Sequence, residues 1–531
     1  MQAQPGTEQG KATIRTASMR DDGAGAKIDS TLTPIKPAEF GYEQARHLLW
    51  RAGFGGTPQQ IQTLATWGPE KSVDYLLDFD KVPAEGGALD KFSNDIMRPP
   101  SEEERRAYNE ARRSGNEDRL AELRRMRQQR EGEDRRQMAE IQKWWLKRMI
   151  ETGRPLEEKL TLFWHGHFAT NYRTIEDSYH MLLQNELFRR EAAGSFERLL
   201  RGIIRDPAMI AYLDNNDSRK GRPNENLARE IMELFALGIG NYTEQDIKEG
   251  ARALTGYTFR DDAFYLDERN HDTGMKRILG ASGNMNGDEF VDAILARAEC
   301  SQFVARKLYH FFVEEIPTPE RAPMNQLKPH QRGLISEMAR GLASGRYELR
   351  PVLRRLFLAR SFYHPRIMNQ QIKSPVQLVV GAVRSLNAPV RDLGILNDAL
   401  DLMGQNLFMP PSVKGWDGGR SWVNTSTMFV RQNIMAFLLT GKKPQGYDST
   451  ADTMRFDPMP LLGELAKASP GSERDPAAVA DYLLRLTVGV SPQAGRDAMA
   501  TFLKKANGRL TTDSVTGMLL LCTSMPEYQL C

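Results

Sequence analysis

From residue 43 onward, apolar side chains return every three or four positions in segment after segment, with glycine and proline at the joints. Alternating runs of β-branched residues are scarce. The pattern predicts a mainly α-helical chain, with helices over residues 42–52, 59–67, 69–77, 157–168, 178–191, 196–205, 225–237 and 244–254. Further helices are predicted over 287–296, 301–312, 329–343, 349–358, 375–386 and 395–403. Pro69 suits the first position of its helix, where a missing N–H costs nothing. Short loops between many of these segments imply antiparallel neighbours, so residues 38–531 read as one large multi-helical domain. No stretch repeats at a fixed period, which disfavours a solenoid. Residues 1–37, rich in small and polar types and without periodicity, read as a disordered leader.

One segment breaks the pattern. Of the 40 residues from 101 to 140, 22 are charged and few are large and apolar, so they cannot form core. They read as a charged helical insertion, a hairpin broken at Ser114-Gly115 and supported by Glu/Arg pairs four residues apart. The sharper reading is an anion-binding arm, since the stretch from Arg124 to Arg136 is locally basic.

Composition narrows the function classes. The chain has 531 residues, with 72 Lys+Arg against 69 Asp+Glu and a formal net charge of +3, so the totals disfavour nucleic acid as a partner. Three cysteines make neither a disulfide framework nor a zinc ribbon. No run approaches the roughly 18 apolar residues that span a bilayer. The N-terminus lacks a basic region followed by an apolar one. As written, the chain reads as soluble and cytoplasmic, or as periplasmic or exported if the leader is incomplete.

Four constellations carry candidate chemistry. In Phe163-Trp164-His165-Gly166-His167-Phe168, His167 shares a stripe with Leu160, Phe163 and Trp164, while His165 lies roughly 200° away around the axis. The two imidazoles can share a metal only where the helix distorts at Gly166; otherwise His167 is a core histidine. The second runs from Asp214 into the helix at 225–237. Asp214, Asn216, Ser218 and Glu225 superficially match a calcium loop, but Arg219 stands where that loop needs glycine. Asp214 and Asn216 therefore read as turn formers and Asn224 as a helix cap. In the helix itself Glu225, Arg229 and Glu233 form one column. Glu230 sits at the margin of the buried stripe and converges with Glu233, a spacing that suits a divalent metal or paired acid/base carboxylates. The third is His271-Asp272-Thr273-Gly274, a turn or a metal ligand. The fourth runs from Lys414 to Asn424. Its Trp416, Arg420 and Trp422 line a cleft for a planar or sugar-like ligand, or plug the core as an Ω-loop. Gly238-Ile239-Gly240 follows a helix, so it reads as a C-cap before the N-cap Thr243 and not as a dinucleotide fingerprint.

The ordered segments LFWHGHFAT, FERLLRGIIRDPAMIAYLD, PNENLAREIMELFALGIGNYTEQDIKEGARALTGY, HDTGMKRILG, SPVQLVVGAVRSL and MGQNLFMPPSVKGWDGGRSWVNTSTMFVRQN resemble the bacterial domain-of-unknown-function 1800 family. The resemblance implies no established activity. It does imply frequent export, and neighbours similar to the phosphatase and sulfatase superfamily. Two functions follow. One is a metal-dependent enzyme, a hydrolase or oxygen-using, with a divalent Zn, Fe or Mn ion held by His165, His167, Glu230, Glu233 and His271. In that enzyme Glu225, Arg229 and Glu230 would be catalytic, and Lys414, Trp416, Arg420, Trp422 and Asn424 would bind substrate. The alternative is a non-catalytic binding or assembly partner of a phosphatase/sulfatase-like protein, with the polar motifs acting as hydrogen-bond networks that specify the packing. The distances among His167, Glu230, Glu233 and His271 discriminate between them.

Overall fold

The computed structural model describes residues 27–83, 89–316, 320–321, 323–443 and 454–531, and over these the chain is mainly α-helical with two small two-stranded sheets. The elements that position the candidate residues are α1 (Glu102–Ser114), α2 (Glu117–Glu151), α3 (Pro155–His167), α4 (Ser178–Arg190) and α5 (Asn226–Glu230), followed by α6 (Glu244–Ala253). Then come the hairpins β1 (Tyr257–Arg260) with β2 (Ala263–Leu266) and β3 (Lys276–Ile278) with β4 (Ala281–Gly283). The helices α7 (Ala298–Phe312), α8 (Pro375–Leu386), α9 (Leu393–Leu402) and α10 (Thr425–Thr440) complete the set. Both hairpins are antiparallel, with Tyr257 opposite Leu266 and Lys276 opposite Gly283. No helix among the described residues is long and apolar enough to cross a membrane.

The charged segment forms the expected hairpin. Ser101 caps α1 and Asn116 caps α2, and Gly115 between them has φ +65°, the left-handed conformation that ends a helix without a Cβ penalty. The first half of α2 packs along α1; from Met138 to Met149 the same helix enters the core, where it meets α3, α4, α8 and α9.

At the centre lies α3, buried on every side except near Gly166, as expected of a helix that is apolar all round. Its N-terminal half nevertheless takes Glu157, Glu158 and Lys159 into the core. Glu158 is fully enclosed and accepts from Trp145 Nε1 at 2.8 Å, from Arg189 Nε at 2.8 Å and Nη2 at 3.1 Å, and from Arg148 Nε. Burial alone would raise its pKa, but Arg189 and then Arg148 outweigh it and hold the carboxyl below the usual range.

Three features depart from the sequence reading. Residues 27–37 pack onto the body, with Leu32 and Ile35 buried and the Ile35 N–H donating to the Leu358 carbonyl at 2.8 Å; the rest of the expected leader lies outside the described residues. The helix expected over 225–237 is α only to Glu230, and Ile231–Ala236 is a π-helix. The N–H groups of Leu237 and Gly238 both reach back to the Met232 carbonyl, at 3.0 and 3.1 Å. Finally, the region between α6 and residue 287 carries the two hairpins instead of an irregular loop.

Because both arginines around Glu158 lose their counter-charge together, Glu158→Gln is expected to cost about 3 to 5 kcal/mol in urea unfolding, several times the effect of neutralising a surface carboxylate. The depressed pKa fixes the direction with pH: the stability that Glu158 supplies is present above its unfolded pKa and is lost as pH falls through the folded value.

Candidate functional site

The two histidines of α3 face opposite ways, as the helical spacing requires. His165 Nε2 accepts the Phe408 backbone N–H at 3.1 Å, and its ring lies among Trp145, Phe408 and Trp416 at 5.3 to 5.5 Å. His167 Nε2 meets the Phe235 carbonyl at 2.9 Å. A carbonyl only accepts, so Nε2 carries the proton and Nδ1 keeps a lone pair, buried and without a partner. Phe163, Phe168, Phe196, Phe235 and Phe303 surround that ring. Burial pushes both imidazoles down to about 3, with Lys307 adding to the effect at His167.

The carboxylates of the second constellation divide between two neighbours. Arg229 bridges Glu225 at 3.0 Å and both oxygens of Glu244 at 2.9 Å. Glu233 accepts from the Tyr242 hydroxyl at 2.7 Å. Glu230 is half-buried, and burial followed by the nearby Glu233 holds its carboxyl above the usual range. Asn224 accepts from the Asn226 N–H at 2.9 Å, the capping role its position implies, and Asp214 takes a left-handed turn at φ +55°.

His271 donates from Nδ1 to the Thr255 carbonyl at 2.8 Å. Its neighbour Asp272 receives a two-pronged contact from Arg252, at 2.8 and 3.2 Å, and accepts from the Gly274 N–H at 2.8 Å. The Arg252 guanidinium and that N–H outweigh burial and hold Asp272 at about 2. The third constellation is thus a clamped turn. His165, His167, Glu230, Glu233 and His271 occupy separate surroundings, and the described residues contain no group of three or more His, Cys, Asp or Glu side chains placed to hold a metal ion.

The loop from Lys414 to Asn424 lies on the exposed end of α3. Gly415, at φ +85°, sits so close to the Gly166 carbonyl that a Cβ would come within 2.1 Å of it, and the Trp416 ring lies over Gly166 and against His165. Trp422 is buried, and its carbonyl accepts from Thr427 Oγ1 at 3.0 Å and Arg431 Nε at 3.3 Å. Asn424 caps α10 by accepting the Thr427 N–H at 3.0 Å. Lys414 faces Asp417 at 3.4 Å, while Arg420 is exposed and lowers the pKa of Glu315 electrostatically. The indoles seal the body rather than line an open cleft.

An open groove lies elsewhere. About 1020 Å³ in volume, it runs between the N-terminal turns of α6 and the β3–β4 hairpin, walled by Tyr242, Asp246, Glu249, Arg252, Met275 and Lys276. Sequence reasoning passed over these residues as site candidates, although they fall in the quoted segments GIGNYTEQDIKEGARALTGY and HDTGMKRILG. The wall is held by polar contacts from one side to the other. Leu279 N–H donates to Asp246 at 2.7 Å, and Lys276 Nζ donates to the carbonyls of Gly274, at 3.1 Å, and Asp272. Met275 stands out of it, 70% exposed.

Neutral, buried His165 and His167 make acid a destabiliser. Below about 6.5 the unfolded chain binds protons that the folded chain refuses until about 3, so their contribution is complete above pH 6.5 and erodes toward pH 3. The expected signature is a pair of imidazole NMR signals that do not titrate between pH 5 and 8, with stability in urea falling as pH drops below 6.

No curated protein and no solved structure matches the chain. A family model described as "Protein of unknown function (DUF1800)" matches residues 47–530, nearly the whole chain, including both walls of the groove, the two histidines of α3 and the tryptophan loop. By that match the chain belongs to this family.

Proposed function

We propose that the chain is a non-catalytic binding or assembly protein, which takes a phosphatase/sulfatase-like partner protein in the groove between α6 and the β3–β4 hairpin. The observation that supports this most is the convergence of two motif segments on one open groove, lined by internally paired charges and an exposed methionine. Paired charges of this kind orient a partner without large desolvation of any single ion, and an exposed methionine supplies an adaptable apolar contact. In the same reading the histidines have a packing role: each engages a backbone group and is closed in by aromatic rings.

A second reading, the metal-dependent enzyme, is favoured by one observation. Glu230 is half-buried beside Glu233, and its carboxylate has no hydrogen-bond or ion-pair partner among the described residues. A Zn, Fe or Mn ion would relieve that repulsion, with hydrolytic or oxygen chemistry to follow.

Two measurements separate them. On the binding reading, full-length protein retains a phosphatase/sulfatase-like protein encoded beside it, and Met275→Glu weakens retention about tenfold or more without moving the melting temperature. No retention under any salt condition would sink that reading. On the enzyme reading, protein purified without chelator carries stoichiometric metal that Glu230→Gln removes.

A further inference from the structure

The solvent face of α2 carries a pattern that its own fold does not use. Leu120, Asp134, Met138 and Ile141 are buried on one side of the helix. On the other, Glu122, Arg125, Met126, Gln129, Gly132, Glu133 and Arg136 recur at alternating spacings of three and four residues. At about 100° per residue they occupy one sector roughly 120° wide and about 21 Å long. Arg125 and Arg136 are exposed and have no ion-pair partner among the described residues. Met126 is 44% exposed, unusual for so large an apolar side chain on a charged arm.

Gly132 is the informative position. Glycine weakens a helix interior, and it stands here in the middle of a 35-residue helix. A Cβ at Gly132 would meet only the ends of Arg135 and Arg136, at 3.9 Å, so no contact within the chain requires its absence. A small residue at such a place leaves room for something from outside.

We infer that the face takes a second copy of this chain, docked antiparallel with its two-fold axis at Gln129. The pattern is self-complementary about that residue, as an isologous interface requires. Arg125 and Glu133 lie four residues either side of it, so each Arg125 meets the partner copy's acid at that register and each Glu133 its arginine. Glu122 and Arg136 lie seven residues either side and pair in the same way. Met126 and Gly132 lie three either side, so each exposed methionine fills the gap left by the opposite glycine, a knob in a hole. The four crossed Arg/Glu pairs and two Met/Gly contacts use every residue of the stripe, with Gln129 meeting its own copy. The contacts these groups make within the chain, Glu122 with Arg119 at 2.6 Å and Glu133 with Gln129 at 3.0 Å, are solvent-exposed and readily shared.

A polyanion fits the same face less well. Residues 101–140 contain eleven arginines and eleven acidic residues, and on this face the two signs alternate, so a phosphate or sulfate chain would meet carboxylates at every second contact. The alternation is neutral toward a polyanion and attractive only toward its own reverse.

Sedimentation velocity of the full chain over about 1 to 100 µM at low salt should show a monomer–dimer equilibrium that weakens in high salt. Arg125→Glu places like charges together at two points and should weaken the dimer about tenfold or more. Arg125→Glu with Glu133→Arg in the same chain recreates both pairs with the signs exchanged and should restore it, while Gly132→Leu should abolish it. Unchanged melting temperatures would certify that each variant is folded. A wild-type chain that stays monomeric at 100 µM overturns the proposal, as does a dimer in which the exchanged pair is no stronger than Arg125→Glu alone. Salt-sensitive retention of a DNA duplex by a monomeric chain, lost in Arg125→Glu, would give the face to a polyanion and equally overturn it.

Discussion

The constraint on which this structure depends is the burial of a charged helix. The whole circumference of α3 is needed to fill the centre of the body, yet its first turns carry Glu157, Glu158 and Lys159. An isolated carboxylate could not remain ionised there. Glu158 does so because α2 and α4 bring Arg148 and Arg189 to it, with the Trp145 N–H satisfying a further lone pair. That arrangement fixes how α2 and α4 sit against α3, because moving either helix strands a guanidinium. Lys159 solves the same problem by the opposite route. Its amine has no hydrogen-bond partner and lies over the rings of Phe54 and Phe311, and burial pushes its pKa down to about 7, where the neutral form becomes accessible.

Holding α3 in this way decides what its other end can do. His165 and His167 are carried into aromatic surroundings on opposite sides, where desolvation keeps both neutral. Neutral imidazoles are good ligands and bases in principle, but each has a backbone partner, and the nearest motif carboxylates are engaged elsewhere: Glu225 with Arg229, Glu233 with Tyr242 and Asp272 with Arg252. Polar chemistry therefore collects at the surface, where α6 meets the second hairpin. It collects there as pairs, and a wall of pairs is better suited to recognising a surface than to moving a proton.

What was legible in the sequence follows from which interactions are local. Helix periodicity, the Ser114-Gly115 break, the Asn224 and Asn424 side-chain caps and the opposed directions of His165 and His167 all depend on residues within a turn or two of one another. The π-helix does not. The Phe235 carbonyl accepts from His167, 68 positions away, and the wider turn at Ile231–Ala236 answers packing that no window of sequence contains. The hairpins were missed because their strands are only three or four residues long, too short for an alternating pattern to rise above a helical background. Candidate metal ligands were overread for a related reason. Spacing on a helix gives the direction of a side chain, whereas convergence also requires the other elements to supply partners at the same depth. His271 was placed by its residue type alone, and its Nδ1–H belongs to Thr255. The groove was visible only as motif content, because its two walls are separated in sequence by a strand pair.

The small net charge of +3 has a structural meaning beyond solubility. In the core, ionised groups are matched because an unmatched one would be expelled or neutralised. On the groove wall they are matched at the level of single contacts, Arg252 with Asp272 and Glu249. Along the outer face of α2 the matching fails within one copy: Arg125 and Arg136 stand free while Glu122 and Glu133 hold only exposed neighbours. A chain that balances its charges almost everywhere else leaves this one stripe alternating and open, with a glycine at a position where its own packing has no use for one. Long-range steering is weak for so nearly neutral a molecule, so any selectivity it has must come from short-range register. Register is what an alternating stripe encodes, and it is a property that a net-charge total hides.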